Sequence, residues 1–256
     1  MRSLLNWRAY STSLLRGLSA VIILGTIIWL LGSEPATRLL AQIITRISSG
    51  QVVINDVSGS IFDTVNIKRI DWITPEKTIS IQQLKLAWSP QQLWREHQLQ
   101  LTQFSIGTRD VTLIKPDPKP LQLPTSLVLP FDLALPHGHI DAIQINSGDQ
   151  HILIKPVTFT LNYINHTYQL HGTAQSEWGN AQLQTQLADQ SPFKLTSQIN
   201  LALNDGIHAY DVATQLSGNL SHIQVNSTGK SGQATASLQA KLAPFFAQPL
   251  TQATIA

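Results

Sequence analysis

The stretch that decides the fold is Val157-Thr158-Phe159-Thr160-Leu161-Asn162-Tyr163, in which apolar and polar side chains alternate. A period of two is typical of a β-strand with one dry face and one wet face. Turn signals such as Asn204-Asp205-Gly206 separate further runs of this kind, so residues 137–256 are predicted to form an antiparallel meander that continues beyond the last residue. The later runs, each on one parity, are Ala181-Leu183-Leu187, Phe193-Leu195-Ile199-Leu201-Leu203, Val212-Leu216-Leu220 and Ala234-Ala236-Leu238-Ala240-Leu242.

Residues 51–136 are predicted to form a β-rich cap with a less regular pattern. Within strands the apolar residues switch between odd and even positions, for example from Ile67 to Ile70, and such switches of parity indicate bulges or bends. Ser89 followed by Pro90 predicts a short helix over residues 90–96. The prolines spread over residues 116–136 indicate an extended edge or linker and argue against a central strand.

A membrane anchor is predicted at the N-terminus. Gly17–Ser33 contains 17 consecutive residues without a charge, and with the two leucines before Arg16 it spans roughly 30 Å as a helix, one hydrocarbon core. Arg2, Arg8 and Arg16 precede the segment and no acid does, so the positive-inside rule predicts that residues 1–33 are a cytoplasmic N-terminus with a single-pass anchor. A cleaved signal peptide is the alternative, but the apolar run is long and the cleavage site is poor.

A short amphipathic helix is predicted over residues 34–50, directly after the anchor. Ser33, Glu34 and Pro35 are typical helix-start residues, and Gly50 ends the helical pattern. The helix either lies on the outer leaflet of the bilayer or caps the open end of a sheet, and capping is favoured because an exposed sheet needs cover. The apolar residues at helical spacing are Leu39, Leu40, Ile43, Ile44 and Ile47.

The composition argues against several classes of function. Beyond residue 50 the chain has 12 basic and 14 acidic residues, so it lacks the basic surface that nucleic-acid binding requires. It has no cysteine for a thiolate site, and the pair His137 and His139 has no third metal ligand that the sequence indicates. No acid pair, nucleophile–base order or phosphate-binding glycine motif stands out. We therefore expect no metal, no cofactor and no enzymatic activity.

The apolar side of the predicted sheet is the candidate functional surface. After residue 97 no helix is predicted to cover it, so the sheet either closes into a barrel or sandwich or stays an open trough. We expect a mostly β protein with an elongated, curled antiparallel sheet that is trough-like and apolar inside. A large exposed apolar patch normally marks a binding surface, so the inside of the trough is the candidate site. The residues expected to line it are Val157, Phe159, Leu161, Leu195, Ile199, Leu201, Leu216 and Leu238.

Five segments carry a family resemblance that spans all 256 residues: Leu31-Gly32-Ser33-Glu34-Pro35, Val57-Ser58-Gly59-Ser60-Ile61, Leu84-Lys85-Leu86-Ala87-Trp88-Ser89-Pro90, Leu129-Pro130-Phe131-Asp132-Leu133-Ala134-Leu135-Pro136 and Ile140-Asp141-Ala142-Ile143-Gln144-Ile145. In this order and spacing they resemble the N-terminal part of the TamB family, within the AsmA-like group. These proteins are inner-membrane subunits of the translocation and assembly module of Gram-negative bacteria. The resemblance implies an anchor in the cell inner membrane, a body in the periplasm and an outer-membrane barrel partner that is TamA-like.

Two departures from the family pattern limit what the resemblance implies. The family often has a glycine pair where this chain has Asp63-Thr64. Family members also run several times longer and end in a domain that engages the barrel partner. We therefore expect this chain to be an N-terminal fragment, with barrel binding through a region that is missing here.

The resemblance implies two functions. The first is transport of phospholipid acyl chains between the inner and outer membranes along an apolar β-groove. The alternative is a scaffold that aids autotransporter secretion and outer-membrane protein assembly, in which an exposed strand edge receives a client strand. A membrane-tethered glycosyltransferase is a third hypothesis, but the chain lacks the acid cluster and the nucleotide-binding glycines that it would need.

The topology can be tested with reporter fusions. A reporter fused after Gly50 should be active in the periplasm and silent in the cytoplasm, because the arginines before the apolar run stay on the cytoplasmic side. N-terminal sequencing of the mature protein should find the anchor retained. A mature chain that starts near Glu34 would establish a cleaved signal peptide instead.

Overall fold

The computed structural model describes residues 32–74, 77–113, 123–147, 150–204, 206–246 and 249–256. The predicted membrane anchor lies almost wholly outside these residues. Within them, no helix combines the length and the apolar character needed to cross a bilayer.

In the described part of the chain, thirteen strands form one open sheet whose spatial order follows the order of the chain. This confirms the mostly β class and the curled single sheet that the alternating pattern predicts. The helices α1 (Glu34–Ile47) and α2 (Pro90–Glu96) lie where the sequence predicts helices. The strands are β1 (Val52–Gly59), β2 (Thr64–Ile73), β3 (Lys77–Trp88), β4 (Gln98–Leu113), β5 (Asp132–Ser147), β6 (Gln150–Ile164), β7 (Thr167–Ser176), β8 (Gly179–Ala188), β9 (Lys194–Asn204), β10 (Ala209–Asn219), β11 (His222–Ser231), β12 (Ala234–Leu242) and β13 (Leu250–Ile255).

One strand pair departs from the predicted antiparallel order. β4 and β5 are parallel, so the chain between them must return along the sheet before β5 begins. The Pro-rich segment lies in this connection, but its predicted end at Pro136 is wrong because β5 starts at Asp132. Pro136 occupies a bulge between Leu135 and Gly138, where a missing backbone donor is tolerated. The predicted boundary between residues 136 and 137 therefore falls inside a strand.

Strands β1 to β6 share a bend at one level of the sheet. Val57 pairs with Ile67 and Ile54 pairs with Ile70, so two residues separate successive apolar side chains where one would be usual. Each of the six strands has two residues in place of one at this level, namely residues 55–56, 68–69, 82–83, 107–108, 141–142 and 155–156. The parity switches in the sequence predicted bends, and the structure confirms them. Because all six strands bend together, the apolar side chains stay on one face.

Helix α1 covers the first edge of the sheet with its small residues. Thr37 and Ala41 are buried, and Ala41 forms a cluster with Val57 of β1 and Val65 of β2. This agrees with the capping alternative. The larger apolar side chains of the helix take no part in this core and remain exposed, namely Leu39, Leu40, Ile43, Ile44 and Ile47.

One rim of the sheet is closed by residues 123–131, which we call the strap. The Leu127 N–H donates to the Asp189 carbonyl at 2.9 Å, and the Tyr168 hydroxyl donates to the Leu127 carbonyl at 2.5 Å. The Tyr163 hydroxyl accepts a hydrogen bond from the backbone N–H of Leu129 in the strap. Tyr163 and Asp189 are almost completely buried, so the strap packs closely on this rim.

The Asp189 carboxylate is the centre of the rim. Its Oδ2 accepts hydrogen bonds from the Tyr163 hydroxyl at 2.5 Å and from His166 Nδ1 at 2.8 Å. Burial alone would raise the pKa of this carboxyl, but the two hydrogen bonds and the charge of His166 outweigh burial and hold the pKa below its ordinary value. The bond to Asp189 in turn raises the pKa of Tyr163.

The substitution Asp189→Asn should lower the free energy of unfolding at neutral pH, because the amide cannot replace a charged acceptor for both donors. A carboxyl whose pKa is lowered by folding contributes its full stabilisation above about pH 4, the ordinary value, and loses it as pH falls through the folded pKa. Urea unfolding of the two proteins should therefore differ most near neutral pH and converge in acid. Asp211→Asn, at an exposed position of β10, is the control and should change little. A difference that is independent of pH would contradict this role for Asp189.

Candidate functional site

The register of β6 to β12 places all eight predicted lining residues on one face. Leu161 pairs with Leu170, Ile199 pairs with Leu183, and Leu201 pairs with Val212. Leu216 pairs with Val225 and Leu238 pairs with Ser227, so the same face continues across β11 to β12. The intervening residues Thr158, Thr160, Thr196 and Gln198 lie on the opposite face. The sequence therefore predicted the composition of both faces.

The two faces of β6 to β12 differ in exposure although no second layer of described residues covers either of them. Among the described elements, α1 packs on β1 and α2 beside β4, so neither helix covers β6 to β12. Along β9 the residues of the apolar face are buried or half-buried, whereas Lys194, Thr196, Gln198 and Asn200 are exposed. Ser197, on the apolar face, is only 8% exposed. A single layer shelters one face only when it curls toward that face, so the apolar face is the concave one.

One of the eight residues belongs to the packed rim. Leu195 is buried and follows closely on Phe193, which is 1% exposed in the turn before β9. Leu195 pairs with Leu187 of β8, and Leu187 in turn pairs with Tyr168, whose hydroxyl bonds to the strap. The other seven residues are half-buried. Leu195 therefore stabilises the fold, and the seven half-buried residues form the accessible part of the apolar face.

Phe159 is the largest side chain of this accessible part. Its ring meets the ring of Phe104 edge to face, with centroids 5.9 Å apart. Gly138 lies between them on β5, and a β-carbon there would come within 2.6 Å of the Phe159 ring. A glycine is therefore needed at this position for the two rings to join the apolar surfaces of β4 and β6.

Two pairs of hydroxyl groups interrupt the apolar face, and the sequence analysis missed both. Thr185 and Ser197 lie opposite each other on β8 and β9 with their oxygens 2.8 Å apart, and Thr214 and Ser227 repeat the arrangement on β10 and β11 at 2.9 Å. The two hydroxyl groups of each pair bond to each other, so they need fewer hydrogen bonds to water on this face. Parity places these residues on the apolar face, but only the register shows that they meet.

The structure also places the histidines that a metal site would need. His137 and His139 border a shallow cleft of about 510 Å³ together with His171. His139 Nε2 lies 2.9 Å from an Asp141 carboxylate oxygen. Within the described ranges, no group of three His, Asp or Glu side chains is arranged to hold a metal ion.

These features define a class of protein: a one-layer, elongated β-sheet scaffold with a continuous apolar concave face. The family model described as "TamB, N-terminal domain" matches residues 23–177, more than half of the chain. The chain belongs to the TamB family, and an open sheet in this family fits an envelope scaffold for the transport of lipid or protein. Neither the curated proteins nor the solved structures contain a match to this chain.

The hydroxyl pair of Thr185 and Ser197 generates a testable prediction. Ser197→Ala should lower the free energy of unfolding by about 1 kcal/mol, because the Thr185 hydroxyl is left without its partner on a sheltered face. The double variant Thr185→Val/Ser197→Ala should cost no more than the single one, since neither hydroxyl remains unpaired. Urea unfolding measures both.

Thr158→Val is the matched control for this cycle. Thr158 and Thr173 form the same kind of pair at 2.7 Å, but on the exposed face. Water can replace the lost partner there, so the cost should be smaller. Additive effects of Thr185→Val and Ser197→Ala would show that the pair does not act as a unit.

Proposed function

We propose that this protein is a non-enzymatic envelope protein, anchored in the inner membrane, whose apolar β-face carries phospholipid acyl chains between the inner and outer membranes. The periplasm is the compartment in which the sheet works. The proposal needs no cofactor or metal, because the surface acts by binding alone.

The observation that supports the proposal is the continuity of the apolar face. The aligned bends keep it continuous through β1 to β6, and the single parity of the later strands extends it to β12. An acyl chain gains about 0.8 kcal/mol for each methylene that such a surface takes out of water. Aliphatic side chains recur on successive strands, so an acyl chain that moves along the face finds similar contacts at most steps.

Helix α1 supports the membrane part of the proposal. Its apolar stripe is exposed, and Ile47 in particular is 79% exposed. The uncharged run Gly17–Ser33 ends directly before this helix. A helix with one apolar stripe at that place suits the surface of the bilayer from which the chain emerges. Capping the sheet and lying on the leaflet are then compatible, because they use different sides of the helix.

A second candidate function is a scaffold for secretion or for outer-membrane protein assembly. The supporting observation is the open sheet, in which each strand pairs with its neighbours in chain order. Such a sheet can be extended by a client strand through backbone hydrogen bonds. A TamA-like barrel would be the partner for this function, as the family implies. The two candidates use different surfaces, the face and the edge.

The transport proposal is tested by Ile199→Asp with a photo-crosslinker at the neighbouring position Leu183. A carboxylate on the apolar face should abolish crosslinking to lipid, because a charge is costly to desolvate against an acyl chain. The fold should survive, since the half-buried side chain can reach water at the open face. Gln198→Asp is the control on the opposite face of the same strand and should leave crosslinking unchanged.

Two results would count against transport along this face. If Ile199→Asp unfolds the protein, the face is a closed core, which requires a packed, apolar side chain. If Ile199→Asp and Gln198→Asp both keep the lipid crosslink, acyl chains do not follow this face. A circular dichroism spectrum of each variant separates the two results.

A further inference from the structure

A charged side chain, Arg109, lies within the apolar face. On β4 it pairs with Ile81 of β3 on one side and with Ile143 of β5 on the other. The pairing continues this row across β1 to β6 through Ile54, Ile70, Ile81, Arg109, Ile143 and Ile154. Five of the six positions are isoleucine. An arginine therefore stands where the row would otherwise be aliphatic throughout.

The Arg109 guanidinium has no anionic partner within the described residues. Its Nε is buried and makes no hydrogen bond, and none of the ion pairs between those residues includes it. Arg69, on the opposite face, shows the usual arrangement, with Nε 2.8 Å from an Asp71 carboxylate oxygen. The residue as a whole is half-buried, so the guanidinium has one buried donor without a partner and otherwise faces the open side of the sheet. A buried donor that makes no hydrogen bond is costly, and an anion bound at this face would supply the partner that the described part of the chain does not.

We propose that Arg109 binds the phosphate of a phospholipid whose acyl chains lie on the apolar face. The planar guanidinium presents donors in a fork that matches two phosphate oxygens, which suits this role better than a lysine would. The isoleucines beside it provide apolar contact for the chains that leave the phosphate. This inference rests on the proposed transport function and adds the position at which the headgroup phosphate binds.

The residues beside Arg109 favour a lipid over a free anion as its ligand. The residues that pair with Arg109 on its two sides are both isoleucines, and their side chains offer a small anion no further hydrogen bonds. A phospholipid uses both parts of this surface, the guanidinium through its phosphate and the isoleucines through its chains. Free phosphate shares only the first contact, so the experiment includes it as a separate ligand.

The test compares two lipids with identical chains, phosphatidylethanolamine and diacylglycerol, bound to the full chain in detergent and quantified by native mass spectrometry. The unchanged protein should retain phosphatidylethanolamine several-fold better than diacylglycerol. Arg109→Met should bind both lipids equally and keep its capacity for diacylglycerol. Arg109→Lys should restore part of the preference, and Arg95→Met, on exposed α2, should behave like the unchanged protein.

Stability without lipid gives a second readout. Arg109→Met should unfold at the same urea concentration as the unchanged protein, or at a higher one, because it replaces an uncompensated charge with an apolar side chain of similar length. If Arg109→Met is less stable without lipid, the guanidinium has an internal partner and the headgroup site is refuted.

The remaining outcomes separate the headgroup site from the transport proposal. Equal binding of both lipids by the unchanged protein would refute the headgroup site and leave the apolar face as a conduit. Failure to bind either lipid would refute the transport proposal itself. If inorganic phosphate removes the preference for phosphatidylethanolamine, Arg109 binds a free anion and the assignment to a lipid falls.

Discussion

Backbone hydrogen bonds between neighbouring strands fix the register of this sheet, and in a single layer the register alone decides which side chains share a face. A slip of one residue would move every apolar side chain of a strand to the opposite side. The pairing of Ile199 with Leu183 and of Leu201 with Val212 shows the correct register repeated from strand to strand. Where the strands bend, they bend together, so the register survives the change of parity. The apolar face is a consequence of this consistency.

A one-layer sheet also has to protect its margins, and in this protein two of them are protected in different ways. Helix α1 covers the first strand with Thr37 and Ala41, which leaves its apolar stripe exposed. The strap closes one rim through Asp189 and Tyr163, where buried polar groups form hydrogen bonds with each other. Between these margins, the polar groups that interrupt the apolar face are hydroxyl pairs, and the two hydroxyls of each pair form a hydrogen bond with each other. Stability therefore comes from the ladder and the margins, and the middle of the face stays accessible for binding.

This separation of stability from accessibility is what the proposed transport requires. A packed core holds its side chains against each other and has no room for an acyl chain. A half-buried concave face has apolar surface that a lipid can still contact. Arg109 would then mark one position along this path where the phosphate is recognised, whereas most other side chains of the face contact only the chains.

The sequence by itself determined the class of fold and the composition of the two faces. Alternation in runs such as Val157–Tyr163 is a local property of each strand, so the residues that share a face could be assigned without any knowledge of their neighbours. The two helices and the existence of the bends were also local and could be predicted. The parallel pairing of β4 with β5 was not, because the direction of a strand after a long connection depends on where that connection docks.

The tertiary structure decided the features that depend on two or more strands. Thr185 and Ser197 meet only because β8 and β9 adopt one particular register, and Asp189 is buried only because the strap crosses its strand end. Arg109 is the clearest instance: its parity relative to Phe104 and Ile106 would place it on the wet face. The bend at residues 107–108, aligned with bends in five neighbouring strands, turns it onto the apolar face. A bend can be inferred from one strand, but which side chains it brings together is set by the strands beside it.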